Sequence, residues 1–574
     1  MNEGLTTTLV LCENGTDLDE EEEILSNDLP PDFALVRSIG SDPKTLDEVL
    51  HGPDAKHWQE ALEYEIGQLE KLETWDIIDL PQGHTEIPCS EVIKVKCSPN
   101  GETLSYWVRI IAGGHRQVKG INYTETFSAA AKMPTVQVIL ANAAHQDWEI
   151  DHIDMKSAYL NAKLKETIYM KPPRGVLKKG QEGKVLKLKK GLYGLKQAGR
   201  GWYQEMSRVF VEKMGFSRSS IDHSVFYQRK GEEHTIVAVA MDDMAVTSKQ
   251  RIDAERFKME IKGFWVITDH GPIKWFLGFQ IKQNREAGTL LINQKAYIEA
   301  MVEKFGLIDA KLVSTPMEVN TQYSIQQSPS TLKQTAQMLK VPYSKAIGSV
   351  LWPVVISWPD MVYTIGILSQ FIQNLGPVHW EALKRVISYL GTTKDHWLTF
   401  GGKEKGEIQG YCDADWASQH HWHSISGFLF HFGEGAVSWS SKKQAVIALL
   451  STEAEYISQT HAAKEAAWLR NFIVELQGKP QGLLTVLCDN QGAIALSKDN
   501  KFHSRMKHID LRYHFIREAI DEGKINVEYI PTAENITDVF TKALARLKFE
   551  VFIEMLGLGG IKEERKNKES RLKA

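Results

Sequence analysis

Residues 57–73 read HWQEALEYEIGQLEKLE, and Trp58, Ala61, Leu62, Ile66 and Leu69 recur at the spacing of one helical face. The period then shortens to two. EVIKVKCSPNGETLSYWVRIIAGG sets two apolar runs either side of Pro99-Asn100-Gly101, which predicts a β-hairpin. AVAMDDMAV (238–246) alternates in the same way, but Asp242 and Asp243 interrupt it, so it reads as two strands with both acids at the bend. These segments make an α+β domain running to about residue 315. A polar stretch follows, VNTQYSIQQSPSTLKQTAQ (319–337), which reads as a linker. Residues 343–391 are mostly helical in pattern. From Gly410 a new order begins: strand, strand, strand, long helix, strand, helix, strand, helix. That is a second, α/β domain of about 135 residues, and no internal repeat accompanies it.

Composition narrows the class without naming it. The 574 residues are 43% apolar and 25% charged, as in an ordinary globular protein of about three or four domains. No apolar run reaches roughly 18 residues, so no transmembrane helix and no membrane partner are expected. The N-terminus lacks a basic n-region and a cleavage site, which argues against a secretory signal. The five cysteines (Cys12, Cys89, Cys97, Cys412, Cys488) are scattered and contain no C-x-x-C pair. Structural zinc and a disulfide framework are therefore not expected, and a reducing intracellular setting is. Net charge is −5, so charge alone does not announce a nucleic-acid partner. Its distribution says more. Asp17–Glu23 holds six acids in seven residues, and 1–45 reads as an acidic disordered linker or a cut end. Residues 174–200 mix many Lys and Arg with Gly and Tyr193, which suits a surface that follows phosphates as well as a solvated face.

Two sets of carboxylates carry candidate chemistry. Asp154 ends the apolar stretch WEIDHIDMKSAYL, so it and the Asp242-Asp243 pair come from separate strands. Two divalent cations about 3.5–4 Å apart clamp the attacking and leaving oxygens of phosphoryl transfer, and magnesium favours oxygen ligands. Taken alone, Asp242-Asp243 reads first as a polar hairpin turn. In the second domain Asp413 follows a strand, Glu455 begins the long helix, Asp489 ends another strand and Asp538 opens a last helix. One acid per element end is what a carboxylate-only two-metal nuclease requires. Each has a plainer reading: Glu455 in a capping box with Thr452, Asp489 in an Asx turn with Asn490, and Asp415 competing with Asp413 on the same strand face. KHIDLRYHFIREAI places His508 and Arg512, with His514 and Arg517, on a helix that is either solvated or touching phosphates. Walker-type phosphate loops, a G-x-S-x-G elbow and H-E-x-x-H are absent.

The succession TWDIIDLP (74–81), INYTETFS (121–128), IDMKSAYLNAKLKETIYMKPPRG (153–175), GLYGLKQAGRGWYQ (191–204), MDDM (241–244), WFLGFQI (275–281), CDADWA (412–417), SWSSKKQAVIALLSTEAEY (438–456), CDNQGAIAL (488–496), KHIDLRYHFIRE (507–518) and TDVFTKAL (537–544) resembles the reverse transcriptase–ribonuclease H part of copia-type retrotransposon Pol polyproteins. The resemblance implies an α+β multidomain fold. Fingers and palm would occupy 46–315, a mostly helical thumb or connection 316–405, an α/β ribonuclease H-like domain 406–545, and a charged tail 546–574. It implies an RNA-directed DNA polymerase using Mg2+, with Mn2+ as a substitute, on an RNA template, a DNA primer and dNTPs. Asp154, Asp242 and Asp243 would be its metal-binding triad. Arg109 would hold the triphosphate, Tyr159 would stack under the incoming sugar, and Gln197 would lie near that sugar. Asp413, Glu455, Asp489 and Asp538 would be a second metal-binding set that cuts the RNA of an RNA–DNA hybrid, and the signature favours Asp413 over Asp415. The implied company is Gag and integrase, in a cytoplasmic virus-like particle or the nucleus. No Asp-Ser/Thr-Gly protease signature, zinc knuckle or integrase zinc pattern is present, so a polyprotein fragment is expected.

The sequence departs from the family pattern at Ala240 (usually Tyr), Trp107 (usually basic), Gly199 (usually Pro), Ala162 (usually Gly) and Gln137 (usually basic). Several of these positions are expected around nucleotide and template. The alternative reading is a degenerate remnant that binds nucleic acid with ribonuclease H activity only, or with none.

Overall fold

The computed structural model describes residues 45–97, 103–402, 407–418, 422–479, 482–498 and 515–560. The acidic segment and the His508, Arg512 and His514 cluster lie outside the described residues.

The helix expected at 57–73 spans Ala55–Lys71 and buries Trp58, Leu62, Ile66 and Leu69. It packs on the hairpin Cys89–Cys97/Thr103–Ala112 and shares a core with a four-stranded sheet of Trp75–Ile78, Val185–Lys190, Lys163–Met170 and Glu86–Ile87. A six-stranded sheet follows. Its central neighbours are Glu149–Met155, Asp243–Ser248 and Glu233–Ala240, all antiparallel. These strands are short and rich in Val, Ile and Ala because both faces are covered. Helix Met133–His145 lies over one face, and helix Arg251–Lys262 packs on the other. Beneath the second face Lys258 Nζ meets Asp151 at 2.6 Å and Asp269 at 2.9 Å, so a fully buried carboxylate has its counter-charge.

The predicted domain limits do not coincide with core limits. Trp397–Gly401, at the end of the segment read as thumb or connection, pairs with Thr289–Asn293 of the preceding domain. The span read as a charged tail is folded through residue 560: Arg546–Met555 is a helix with Phe549, Phe552 and Ile553 buried, and Leu558–Gly559 pairs with Trp397–Leu398. The helices expected at 343–391 are present as Tyr343–Ile356, Val362–Ser369 and Pro377–Thr393.

The last domain has a five-stranded sheet in the order Gly435–Lys443, Ile425–Phe432, Ile408–Asp415, Leu484–Cys488, Ile525–Tyr529. Its first two pairings are antiparallel and its last two parallel, and the 27-residue helix Ser451–Gln477 packs on it. This is the α/β ribonuclease H-like arrangement the sequence predicts. The domain is seated directly on the first one. Ser219 Oγ and the Ser220 N–H donate to Glu475 at 2.7 and 2.8 Å, Gln477 donates to Asn142 at 2.9 Å, and Trp439 Nε1 donates to the Val354 carbonyl at 3.1 Å. One apolar core runs from Val136 of the first domain to Leu558.

Candidate catalytic sites

The AVAMDDMAV hairpin closes with Ala240 opposite Asp243, leaving Met241 and Asp242 as its two turn residues. Met241 takes φ +60°, the positive value that a type II′ turn needs at this position. Asp243 is the Cα partner of Asp154 on the neighbouring strand, and the Asp242 carbonyl accepts from the Met155 N–H at 2.8 Å. Residues directly opposite across antiparallel strands are about 4.5–5.5 Å apart at Cα. Asp154 and Asp243 thus lie opposite each other at the ends of two central strands with Asp242 in the adjoining turn, all three half-buried. Trp202 Nε1 donates to the Met241 carbonyl at 2.9 Å and fixes the turn from below.

A row of side chains leads away from this turn. The Tyr159 hydroxyl lies 3.5 Å from Met241 Sδ, its ring is 4.8 Å from that of Tyr193, and the Arg109 guanidinium sits 3.9 Å from the Tyr193 ring. The Trp107 ring also lies 4.4 Å from the Arg109 guanidinium. The tryptophan that replaces a basic residue therefore holds the arginine by cation–π contact. Tyr159 and Arg109 thus belong to one row of side chains beside the turn.

Gln197 does not. It is 5% exposed, its Nε2 donates to the Asn122 carbonyl at 2.7 Å, and its Oε1 accepts from Gln117 at 2.9 Å. Its carboxamide ties two loops together instead of facing a sugar. Gln137 is also displaced from the expected surroundings: it is buried and donates to the Ile356 carbonyl at 2.9 Å, joining helix Met133–His145 to the helical segment.

The second cluster is deeper. Asp413, Glu455 and Asp538 are 4, 7 and 0% exposed. Gly427 stands opposite Asp413, and a Cβ there would lie 2.9 Å from Phe540 Cβ and Thr541 Cγ2, so only glycine lets helix Asp538–Thr541 approach the strand. Thr541 Oγ1 then donates to Asp413 Oδ2. Asp538 is ion-paired through one oxygen with Lys542 Nζ at 2.6 Å and accepts from Lys548 Nζ on the other. Glu455, Cys488 and Asp489 each bring a ligand atom within 4.8 Å of the others. Burial, with Asp538 and Asp489 nearby, pushes the Asp413 carboxyl up to about 6 against the pull of Lys542 and Thr541. Burial and Asp413 hold Glu455 well above the usual carboxylate range. Burial opposes the charge of Lys542, but Asp413, Asp538 and Asp415 outweigh it and raise its pKa.

The plainer readings of this set fail locally. The long helix begins at Ser451 with no side-chain cap, so Thr452 and Glu455 make no capping box. Asn490, not Asp489, caps the next helix by accepting from the Ala493 N–H at 2.9 Å. Arg517 is buried and donates to the Leu496 carbonyl at 3.0 Å, so it packs helices and does not face phosphate.

Both clusters fit divalent cations by their donor chemistry. The first offers oxygen ligands from two strand ends. In the second, Glu455, Cys488 and Asp489 offer ligand atoms within 4.8 Å of one another, beside Asp413 and an Asp538 whose charge Lys542 and Lys548 neutralise. The sequence reading missed His152, Lys542 and Lys548. His152 was within reach of period-two counting, two residues before Asp154 on the same strand face.

A family model described as reverse transcriptase (RNA-dependent DNA polymerase) matches residues 72–319. The Pol polyprotein from transposon TNT 1-94 of Nicotiana tabacum is 37% identical over 541 residues, 94% of this chain and 40% of that protein. The Pol polyprotein from transposon RE1 of Arabidopsis thaliana is 32% identical over 532 residues, 92% of this chain and 35% of that protein. A putative transposon Ty5-1 protein of Saccharomyces cerevisiae is 30% identical over 315 residues, 54% of this chain and 100% of that protein. The chain thus spans 40% or less of the two plant polyproteins. A foamy viral protease–reverse transcriptase solved with an RNA/DNA hybrid overlays at TM-score 0.43 and 13% identity, over 84% of this chain and 54% of that one, too loosely to carry residue correspondences. A match to the polymerase model, together with a 30% identical transposon protein covered along its whole length, settles the family. The chain belongs to the reverse transcriptase region of copia-type retrotransposon Pol polyproteins.

Proposed function

We propose that this chain is an RNA-directed DNA polymerase that also degrades the RNA strand of RNA–DNA hybrids, working beside the Gag and integrase of its element. The observation that carries the polymerase reading is the pairing of Asp154 with Asp243 across neighbouring strands, at the tip of a hairpin flanked by Tyr159 and Arg109. Divalent metal, held by Asp154, Asp242 and Asp243 in one site and by Asp413, Glu455, Asp489 and Asp538 in the other, supplies Lewis-acid stabilisation of phosphoryl transfer when bound. The protein's own groups do the rest. Arg109, held by the Trp107 and Tyr193 rings, presents guanidinium N–H groups to phosphate without losing further rotamer freedom. The Tyr159 ring forms the floor on which a deoxyribose packs. In the second site, Lys542 and Lys548 must yield the Asp538 oxygens as the site loads.

Primer extension on poly(rA)·oligo(dT) with Mg2+ tests the polymerase reading: extension by the parent and none by Asp154→Asn is expected. No extension by the parent at any concentration overturns it. Cleavage of a labelled RNA–DNA hybrid, lost in Asp489→Asn, tests the nuclease.

A further inference from the structure

Asp243 has a partner that the metal-site reading does not use. His152 Nε2 lies 2.8 Å from Asp243 Oδ1. An ionised carboxylate only accepts, so Nε2 carries the hydrogen. The contact follows from the register. His152 pairs with Ala245 and Asp154 with Asp243, so His152 and Asp243 are diagonal neighbours on one face of the sheet.

The ring is itself held. On the far side of the strand, Asp269 pairs with Ile153 and Gly271 with His152, which leaves His270 as an extra residue in a β-bulge. Gly271 takes φ +68°, and its N–H donates to Asp269 Oδ1 at 2.9 Å. Asp269 is in turn bound by the buried Lys258 at 2.9 Å. The bulge swings the His270 ring onto His152, stacked at 4.6 Å and 20°, while Phe276 meets the same ring edge-on at 5.9 Å. Bulges beside active sites re-aim side chains in this way. Asp243 needs such support because its side chain is 31% exposed and follows a strained two-residue turn.

We propose that His152, braced by the His270 bulge, is a positioning residue of the polymerase site: by taking Asp243 Oδ1 it fixes that carboxylate's orientation and leaves Oδ2 as the oxygen that would hold a cation. This rests on the polymerase reading above. Outer-shell partners of metal-binding carboxylates typically change metal affinity or activity by about 10–100-fold when removed.

The test uses the full chain with Asp489→Asn added, so that the nuclease cluster does not dominate cation binding. Mn2+ is titrated and followed by electron paramagnetic resonance, beside primer extension. His152→Ala is expected to weaken Mn2+ binding at the polymerase site about tenfold and to lower kcat by a similar factor, with the dNTP KM moving less. His152→Gln, which keeps a donor, is expected to recover part of both. His270→Ala leaves the hydrogen bond and removes the brace, so a loss of about threefold is expected. Thermal melts establish that each variant is folded. Should His152→Ala misfold, His152→Gln and His270→Ala carry the comparison. Unchanged Mn2+ affinity and unchanged kcat in folded variants overturn the proposal. A parent that binds Mn2+ but does not extend primers overturns only the polymerase reading, and the binding series still decides the role of His152. A parent with no Mn2+ site lost in Asp154→Asn overturns both.

Discussion

The two acid clusters, proposed to serve the same class of chemistry, use the same residue type yet are built by opposite means. The polymerase acids sit half-buried at a hairpin tip, where Asp243 is oriented by one imidazole hydrogen bond. In the proposed nuclease site Asp413, Glu455 and Asp538 are almost wholly buried and Asp489 partly so, and lysines and raised carboxyl pKa values offset their repulsion. A site that must admit a nucleotide and a primer end keeps its charges near water and relies on orientation. A site sunk between a strand and two helices must neutralise its charges even when idle. The first should therefore respond to loss of a positioning group, the second to loss of a counter-charge.

The largest effects should separate the two regions outright. Asp243→Asn is expected to lower primer extension by about a thousandfold, equivalent to about 4 kcal/mol, and Asp489→Asn to lower hybrid cleavage on the same scale. Each variant is to be measured for both activities. A shared loss would break the comparison, because it would mean that one folding defect serves both sites.

Next in size is the counter-charge. Lys542→Met leaves Asp413 and Asp538 with one ammonium fewer and, because the Lys542 side chain is 40% exposed and screened, is expected to reduce stability in urea unfolding by about 1–2 kcal/mol. Mg2+ should restore part of that loss. A variant as stable as the parent, or one that Mg2+ does not help, would contradict the charge account of the buried cluster.

Much of this was legible in the sequence, for identifiable reasons. Two acids interrupting a period-two apolar run can only fall at a hairpin bend or break a strand, and Asp154 at the end of another such run supplies the partner. In the second domain each acid ends a distinct element, so topology alone could bring them together. What stayed hidden depends on contacts without a local pattern. Lys548 lies in a stretch rich in Lys and Arg that reads as a tail, and only the burial of Phe549 and Phe552 beside it reveals a folded helix. His270 is placed by a bulge that shifts the register by one residue. Gln137 and Gln197 sit at family positions associated with the substrate, but their carboxamides are taken up by Ile356, Asn122 and Gln117.

A smaller effect concerns the flank of the polymerase site. Trp107→Ala removes one of the two rings around Arg109 and is expected to raise the dNTP KM about threefold with little change in kcat. A fall in kcat alone would mean that Trp107 acts on the reacting centre and not on triphosphate binding.

The mildest test is pH. Burial pushes Asp360 and Glu465 up to about 7, and pushes His431 down to about 4. The two acids add stability that is complete below their unfolded pKa of about 4 and is lost as pH rises through about 7. The buried histidine adds stability present above its unfolded value of about 6.5 and lost as pH falls toward about 4. Across about pH 4–6.5 the two acid slopes outweigh the single opposing histidine slope, so these groups should make thermal midpoints fall as pH rises toward about 7. Asp360→Asn should largely flatten that fall. All three groups lie in the nuclease domain or in the helices it packs on, so the slope should survive Asp243→Asn unchanged in shape.

The most direct measurement is a single reaction on an end-labelled RNA template annealed to a DNA primer, with Mg2+ and dNTPs, run with the parent, Asp154→Asn and Asp489→Asn. The account predicts that the parent extends the primer and cuts the template, that Asp154→Asn cuts a preformed hybrid without extending, and that Asp489→Asn extends and leaves the RNA intact. A parent that neither extends nor cuts, or single variants that each lose both activities, would contradict it.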